Sequence, residues 1–277
     1  MALRDWAHAA GRILTRALLH PRWRHRGPMA WSYLQLYLLG KRVTERRELA
    51  ALRRVLLPGM IVADVGANVG FYALQMASRV GPRGRVLAFE PDPFCFDLLR
   101  SRIKQSASMN VEAHQLALGE KSGDGVLYCS AYNRADNRLS PSHTEAHVEE
   151  HRVQVRSLDD FLAAEGISVD ALKIDVQGSE ERVLKGARRT IEGGLDWIWI
   201  EFSPDHLRGA GTDPRSFLLL LANLNMDVFE VGDGQLQRLS DTGEYIGRIG
   251  SGYGDLLLLS RDESRRAGGR AGREQST

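Results

Sequence analysis

The stretch VADVGANVGFYALQMA, residues 62–77, places the strongest constraint on the fold. A short apolar run ends in two glycines, Gly66 and Gly70, and an apolar segment of helical length follows. Glycine permits positive φ and leaves space for a ligand near the backbone. A strand that enters a helix through such a turn is typical of parallel sheets that bind ligands beyond the carboxyl ends of their strands. The stretch therefore predicts an α/β fold with a ligand site at this turn.

Strand-like and helix-like segments alternate along the rest of the chain. Asp92-Pro93 and Asp213-Pro214 each place an N-cap aspartate before a proline, which predicts two helix starts. The last two apolar runs predict an antiparallel pair at the edge of an otherwise mostly parallel, doubly wound sheet. The predicted strands of this sheet are residues 60–65, 85–90, 111–118, 171–176, 196–202, 226–231 and 254–260.

The chain divides into three parts. Residues 1–57 have helical spacing and predict a helical N-terminal extension that ends before Pro58-Gly59. Residues 58–262 contain the alternating strands and helices and predict one catalytic domain. Residues 263–277 lack apolar side chains almost entirely and predict a disordered tail.

The net charge and the length of the apolar runs indicate which kinds of partner to expect. The net charge is only +2, which gives no reason to expect nucleic acid, although arginines crowd residues 4–26 and 265–273. The most apolar early run, residues 29–40, is shorter than the roughly 20 residues that cross a bilayer. We therefore expect a cytoplasmic protein without a transmembrane segment. The N-terminal helices leave open a homodimer contact or a contact with a membrane surface.

The glycine turn favours a nucleoside without a pyrophosphate. A dinucleotide fold requires G-x-G-x-x-G, and Asn68 stands where the second glycine belongs, which disfavours a nicotinamide-dependent dehydrogenase. Glu90 follows Gly70 by twenty residues, a suitable distance for binding a ribose diol. These features together indicate S-adenosylmethionine, with Asp64 placed to attract its cationic amino-acid end.

Several motifs, in this order, resemble those of the FkbM-type methyltransferases. They are DVGANVGFYALQMA, VLAFEPDP, LALGEKSG, SLDDFL, LKIDVQGSEERVLKGA and WIEF, between about residues 58 and 259. The resemblance implies a Rossmann-like, seven-stranded methyltransferase sheet and O-methylation of sugars, polyketides or related small molecules. It also implies that Glu90 binds the ribose and that the remaining cofactor contacts are Asp64, Gly66, Asn68, Gly70, Leu116 and Ala117.

Methyl transfer to a hydroxyl needs a group that accepts the proton, and strand ends are where such a group is expected. Asp175 is the first candidate, Glu201 the second and His206 the third. Lys173, two residues before Asp175, points to the same strand face, so a structural ion pair is the alternative for Asp175. Gln177 replaces a glutamate that is usual in the family, which favours hydrogen bonding over acid or base chemistry at that position.

A polar insert separates two strand-like runs in the middle of the chain. Its side chains Asn133, Asn137 and Arg138 are candidates for binding a polyhydroxylated acceptor, with a plain surface loop as the alternative. The insert also contains His147 and His151 in an H-x-x-E-H pattern. Because its neighbours are polar, no metal site is expected there.

The sequence thus predicts an S-adenosylmethionine-dependent O-methyltransferase acting on a sugar, a glycoconjugate or a polyketide-type small molecule. A catalytically silent module that binds S-adenosylmethionine or a protein partner remains an alternative, because Gln177 departs from the motif.

Overall fold

A computed structural model of the chain describes residues 28–106, 108–130, 137–141, 148–232 and 235–261. Its strands are β1 (Ile61–Val65), β2 (Arg85–Phe89), β3 (Val111–His114), β4 (Ala117–Leu118), β5 (Gly123–Ser130), β6 (Val148–Arg156), β7 (Ala171–Ile174), β8 (Trp197–Phe202), β9 (Met226–Gly232), β10 (Gln235–Arg238) and β11 (Gly254–Ser260). Its helices are α1 (Pro28–Thr44), α2 (Arg46–Val55), α3 (Phe71–Val80), α4 (Pro93–Ser106), α5 (Leu158–Glu165), α6 (Glu180–Gly186), α7 (Arg188–Glu192), α8 (Pro204–Gly209), α9 (Pro214–Ala222) and α10 (Thr242–Ile249).

The main sheet has eight strands in the order β10-β9-β11-β8-β7-β1-β2-β3. Strands β3, β2, β1, β7 and β8 are parallel neighbours, and β11 is antiparallel to both β8 and β9. The chain builds outward from β1 in one direction and later from β7 in the other, so the strand order reverses between β1 and β7. This confirms the predicted doubly wound sheet, and β10 adds an eighth strand at its edge.

Three local features differ from the predicted elements. The strand expected at residues 111–118 is two strands, because β3 stays in the main sheet whereas β4 pairs with β6 in a separate three-stranded sheet, β4-β6-β5. β11 lies between β8 and β9 and not at the edge, although it is antiparallel as predicted. The helix that the alternation of strands and helices predicts between β7 and β8 is interrupted at Ala187, whose φ of −110° separates α6 from α7.

Side chains alternate between the two faces of the sheet, as the strand period of two requires. Trp197 and Trp199 of β8 pack on one face with α2, α3 and α4, whereas Ile198 and Ile200 pack on the other with α5, α6 and α9. Leu38 of α1 is buried in the first of these layers. The N-terminal helices are therefore packed on the same layer as α3.

The predicted helix starts are confirmed by their caps. Asp92 accepts a hydrogen bond from the Phe94 amide at 2.9 Å, and Asp213 accepts one from the Ser216 amide at 2.8 Å. Both caps satisfy amides that lack a partner within the helix. Among the described helices, none combines the length and apolar character that crossing a bilayer requires.

Candidate functional site

A cavity opens where the strand order reverses, at the carboxyl ends of β1, β2 and β7. Helices α1 and α3 and the small sheet complete its walls. The lining residues are 37, 41, 65–69, 71, 72, 89–91, 116–118, 127, 137, 139, 173 and 175–177. The cavity is therefore located where doubly wound sheets bind their ligands.

Three left-handed residues shape the turn after β1. Gly66, Asn68 and Gly70 have φ values of 80°, 50° and 76°. A Cβ on Gly66 would lie 1.9 Å from the carbonyl oxygen of Asp175, so the close approach of β1 and β7 requires glycine there. Asparagine adopts the left-handed region more readily than most residues, which explains how Asn68 takes the place of a glycine.

Glu90 closes the turn from the end of β2. Its Oε2 accepts a hydrogen bond from the Asn68 amide at 2.7 Å, and its Oε1 accepts one from the Asp92 amide at 2.8 Å. Burial raises the pKa of this carboxyl to about 8, although both amides favour the ionised form. Glu90 lines the cavity beside Asn68, so the two residues singled out from the sequence meet in the structure.

Part of the cavity lining is apolar. It contains Leu116 and Ala117, which are buried, together with Leu118, Leu127 and Leu139. Such an apolar lining suits an adenine ring. Leu116 and Ala117 thus lie where the family resemblance implies an adenine contact.

Asn137 joins the small sheet to the turn region. Its Nδ2 donates to Asp92 Oδ2 at 2.7 Å, and its Oδ1 accepts from the Ser130 amide at 3.2 Å. Asn137 lines the cavity. Arg138 does not, since its guanidinium lies close to Gly209 at the end of α8. Asn133 lies outside the described residues, as do His143 and His147.

A buried charge cluster lies under the cavity. Lys173 Nζ is 3.4 Å from Asp64 Oδ1 and 3.5 Å from Asp175 Oδ2, and Lys173 and Asp64 are almost completely buried. Burial raises the pKa of Asp64 against the opposing effect of Lys173. Asp64 is thus a partner of Lys173 beneath the floor and does not itself line the cavity. The ion pair considered for Asp175 is present, and Lys173 is shared between two aspartates.

Gln177 connects the two carboxylates chosen as candidate bases. Its Nε2 donates to Asp175 Oδ1 at 2.7 Å and to Glu201 Oε2 at 2.5 Å. Burial opposes ionisation of Asp175, but Lys173, Lys41 and the Gln177 amide outweigh it, so the pKa of Asp175 lies below its ordinary value. Burial, with Asp175 and Asp255 nearby, raises the pKa of Glu201 well above its ordinary value. Asp175 is therefore the ionised member of the pair.

His206 is separated from the cavity walls. Its carbonyl oxygen would lie 2.4 Å from a Cβ on Gly178, so the backbone of α8 packs against the loop that follows β7. The loop is shaped further by Glu180, whose Oε1 accepts hydrogen bonds from the Val176 and Gly178 amides at 3.2 and 3.0 Å. His206 therefore supports this loop, and its side chain does not line the cavity.

Helix α1 adds residues that the sequence did not single out. Tyr37 and Lys41, four residues apart and hence on one helix face, line the cavity. Lys41 Nζ lies 5.2 Å and 5.3 Å from the ring centroids of Phe71 and Tyr72, and the Tyr72 hydroxyl donates to Glu45. A lysine on the otherwise apolar face of a helix was the available signal for this contact.

The described residues contain no group of histidines, cysteines and carboxylates arranged to hold a metal ion. The cavity instead offers a left-handed glycine turn, a carboxylate for a diol, an apolar slot and an ionised aspartate. These features fit S-adenosylmethionine, because its ribose, adenine and sulfonium suit the carboxylate, the apolar slot and the ionised aspartate respectively, and the glycine turn leaves space for the ligand.

Residues 64–228 match the model of the methyltransferase FkbM domain. "Methyltransferase 1" of Beauveria bassiana is 32% identical over 143 residues, which cover 45% of this chain and 57% of that protein. The 2-O-methyltransferase NoeI of Sinorhizobium fredii is 24% identical over 61% of this chain and 74% of its own length. The hexuronic acid methyltransferase AglP of Haloferax volcanii is 25% identical over 60% of this chain and 63% of its own length.

The matched part of the chain thus spans less than two thirds of two of these relatives. The family match itself covers more than half of the chain, and it runs from Asp64 at the end of β1 to Val228 in β9. It therefore includes the glycine turn, Glu90, the apolar lining residues and the Asp175–Gln177–Glu201 group. The chain belongs to the FkbM family of S-adenosylmethionine-dependent methyltransferases.

Proposed function

We propose that the protein transfers a methyl group to a hydroxyl oxygen of a sugar, a glycoconjugate or a related small molecule. The observation that carries this proposal is the Asp175–Gln177–Glu201 group, in which one amide donates to both carboxyls while Asp175 and Gln177 line the cavity. Such a group suits removal of a proton from a hydroxyl.

The cofactor contacts follow from the cavity walls. Glu90 accepts from the ribose hydroxyls, Leu116 and Ala117 flank the adenine, and Gly66 and Asn68 leave room for the amino-acid part. Gly70 does not line the cavity, because it packs against Leu99. Asp64 acts from beneath the floor by holding Lys173. When bound, S-adenosylmethionine supplies an electrophilic methyl group. The protein must then align an acceptor oxygen with that methyl and exclude water.

Asp175 is the proposed base. It lies at the end of β7, and Lys173 and Gln177 hold its carboxylate in place. An ionised carboxylate accepts the hydroxyl proton as the new oxygen–carbon bond forms. Glu201 is held by the same amide, and burial, with Asp175 and Asp255 nearby, raises its pKa and so disfavours the ionised form that a base needs. His206 is the least suitable of the three.

The acceptor is proposed to be polyhydroxylated. Tyr37, Lys41, Asn137 and Gln177 put hydroxyl, ammonium and amide groups along one side of the cavity. The names of two relatives point in the same direction, since NoeI is a 2-O-methyltransferase and AglP a hexuronic acid methyltransferase. Asn133 and Arg138 remain predicted acceptor contacts. The division at residues 57 and 262, a homodimer and a cytoplasmic location also remain proposals.

The decisive experiment compares Asp175→Asn with Glu201→Gln on a panel of sugar and small-molecule acceptors. We expect Asp175→Asn to lower kcat by about 10²–10⁴-fold, the usual contribution of a general base. Because Glu201 does not line the cavity and burial disfavours its ionised form, Glu201→Gln should cost less than about tenfold.

Binding of S-adenosylmethionine by calorimetry separates catalysis from cofactor affinity, which both variants should retain. An equal loss of kcat in the two variants would contradict the assignment of Asp175 as the base. Tight cofactor binding without methyl transfer to any acceptor would instead support the silent module.

A further inference from the structure

The outward side of α1 carries three exposed aliphatic side chains. Leu36, Leu39 and Val43 are 62%, 59% and 65% exposed. Their spacing of three and four residues puts them on one stripe of the helix, here called the outer face. Only three other large apolar side chains in the described part of the chain are exposed, and they lie in different segments of the fold. The outer face is therefore a concentrated apolar surface.

Two arginines lie beside the outer face. Arg42 of α1 and Arg102 of α4 line one groove, together with Gln35, Gln105 and Ser106. Neither arginine has an ion-pair partner among the described residues, while Arg102 also donates to the carbonyl oxygen of Val69 in the glycine turn. Burial and then the neighbouring Arg42 lower the pKa of Arg102 to about 10. Two cations that destabilise each other are relieved by an anion between them.

The segment that leads into α1 has the same charge. Residues 1–27 contain six arginines and one aspartate. An anionic surface attracts each such residue, and the attraction adds to the insertion of an apolar helix face. The sequence that precedes α1 is therefore positively charged, as is the groove beside the outer face.

We propose that α1 docks on an anionic lipid surface, with the outer face among the acyl chains nearest the headgroups and the Arg42–Arg102 groove on a lipid phosphate. The inner side of the same helix carries Tyr37 and Lys41, which line the cavity. Docking thus brings the cavity to within about 10 Å of the lipid surface, the diameter of one helix.

Other occupants fit these observations less well. A second copy related by a two-fold axis would use the same patch on both subunits and would bring the arginines of both copies together. Nucleic acid would use the arginines but would leave three aliphatic side chains in water. An anionic lipid surface satisfies the arginines and the aliphatic side chains together.

The test is co-sedimentation of the full chain with vesicles of phosphatidylcholine alone or of equimolar phosphatidylcholine and phosphatidylglycerol. We expect at least about tenfold stronger partition to the mixed vesicles, and weaker partition as salt is added. The triple variant Leu36→Ser/Leu39→Ser/Val43→Ser should lose about tenfold or more of that partition. Arg42→Glu should lose about as much, because it reverses a charge at the surface.

Leu219→Ser on α9 is the matched control, because Leu219 is exposed too, at 54%, but lies away from the outer face. This variant should bind vesicles like the unmodified chain. Circular dichroism and S-adenosylmethionine affinity check that each variant is folded. Vesicle binding requires no acceptor, so its outcome is independent of the proposed methyl transfer.

Equal binding to both vesicle types, no binding to either, or unchanged binding of the triple variant would each overturn the proposal. Light scattering provides a further check. A dimer that the triple variant converts to a monomer, without vesicle binding by the unmodified chain, would assign the outer face to a second copy.

Discussion

Gly66 shows how one missing side chain sets the geometry of the site. Gly66 has a positive φ, and a Cβ at this position would lie 1.9 Å from the Asp175 carbonyl oxygen. No other residue therefore fits there. The same contact keeps the glycine turn against the strand that carries the proposed base. Residue 66 therefore links the cofactor side of the cavity to the acceptor side.

Replacing Gly66 by alanine should lower the free energy of unfolding by at least about 3 kcal/mol, because both the backbone strain and the clash with β7 must be relieved. Gly166→Ala is the matched control. Gly166 is left-handed, with φ 63° and ψ 34°, but among the described residues no heavy atom beyond its chain neighbours would lie within 4 Å of an added Cβ, so only about 1–2 kcal/mol should be lost. Urea denaturation measures both, and similar losses would contradict the proposed close approach.

Glu90 should make nucleoside binding depend on pH. In the proposed complex the ionised carboxylate accepts hydrogen bonds from two ribose hydroxyls, and burial raises its pKa to about 8. Affinity should therefore rise as the pH increases through about 8, and fall by about tenfold per unit well below it.

The measurement is the Kd of 5′-methylthioadenosine, which carries the ribose and adenine but has no amino-acid group that titrates in this range. Glu90→Gln should bind more weakly and lose the pH dependence. A pH-independent Kd for the unmodified protein, or a persisting dependence in Glu90→Gln, would contradict ribose binding by an ionised Glu90.

At the scale of single elements, α1 presents exposed aliphatic side chains on one side and cavity-lining residues on the other. Its inner side is held by Leu38 in the core and by Glu45, which follows α1 and accepts from Tyr72. Lys41 is thereby fixed near Asp175 and Glu201. Burial opposes its charge, but Tyr37 and Glu45, with those two carboxyls, raise its pKa. Lys41 is therefore a permanent cation on the acceptor side of the cavity.

Lys41→Met should raise the KM for the acceptor by about tenfold or more, because a charged hydrogen bond to the acceptor is lost. The affinity for S-adenosylmethionine should stay essentially unchanged, because Lys41 makes none of the proposed contacts with the ribose or the adenine. Lys104→Met on α4 is the control, since Lys104 is exposed and outside the cavity. Steady-state kinetics measure the KM, and calorimetry measures the cofactor affinity. A lower cofactor affinity with an unchanged KM would contradict acceptor binding by Lys41.

At the scale of the whole molecule, several carboxyls are buried with raised pKa values. Burial raises the pKa of Glu90 to about 8, that of Glu180 to about 7 and that of Asp255 to about 7. In the unfolded chain such groups ionise near their ordinary values of 4.5 and 3.8. Between these limits the folded protein binds more protons than the unfolded chain, so its stability must fall as the pH rises.

We therefore expect the free energy of unfolding of the ligand-free protein to be largest near pH 5 and to fall by about 3 kcal/mol or more towards pH 8. Chemical denaturation at a series of pH values measures the slope. Glu180→Gln should flatten it, because the amide oxygen still accepts from Val176 and Gly178 but does not titrate. A stability that rises over this interval would contradict the burial of these carboxyls.

The sequence by itself determined the doubly wound sheet, the glycine turn and its pairing with Glu90. These depend on local patterns: apolar strands, N-cap residues such as Asp92, and glycines where positive φ is needed. The strand boundary at residues 111–118 was wrong, because a continuous apolar pattern does not reveal that its second half pairs with β6 in another sheet.

Only the tertiary structure decided which side chains meet. The sharing of Lys173 by Asp64 and Asp175, the Gln177 amide between Asp175 and Glu201, and the entry of Lys41 from α1 all join residues from different elements. Such contacts depend on how strands and helices pack. The periodicity of the sequence does not give the distances between residues of different elements. The same packing decides the protonation of the two carboxyls, because burial and neighbouring charge set their pKa values.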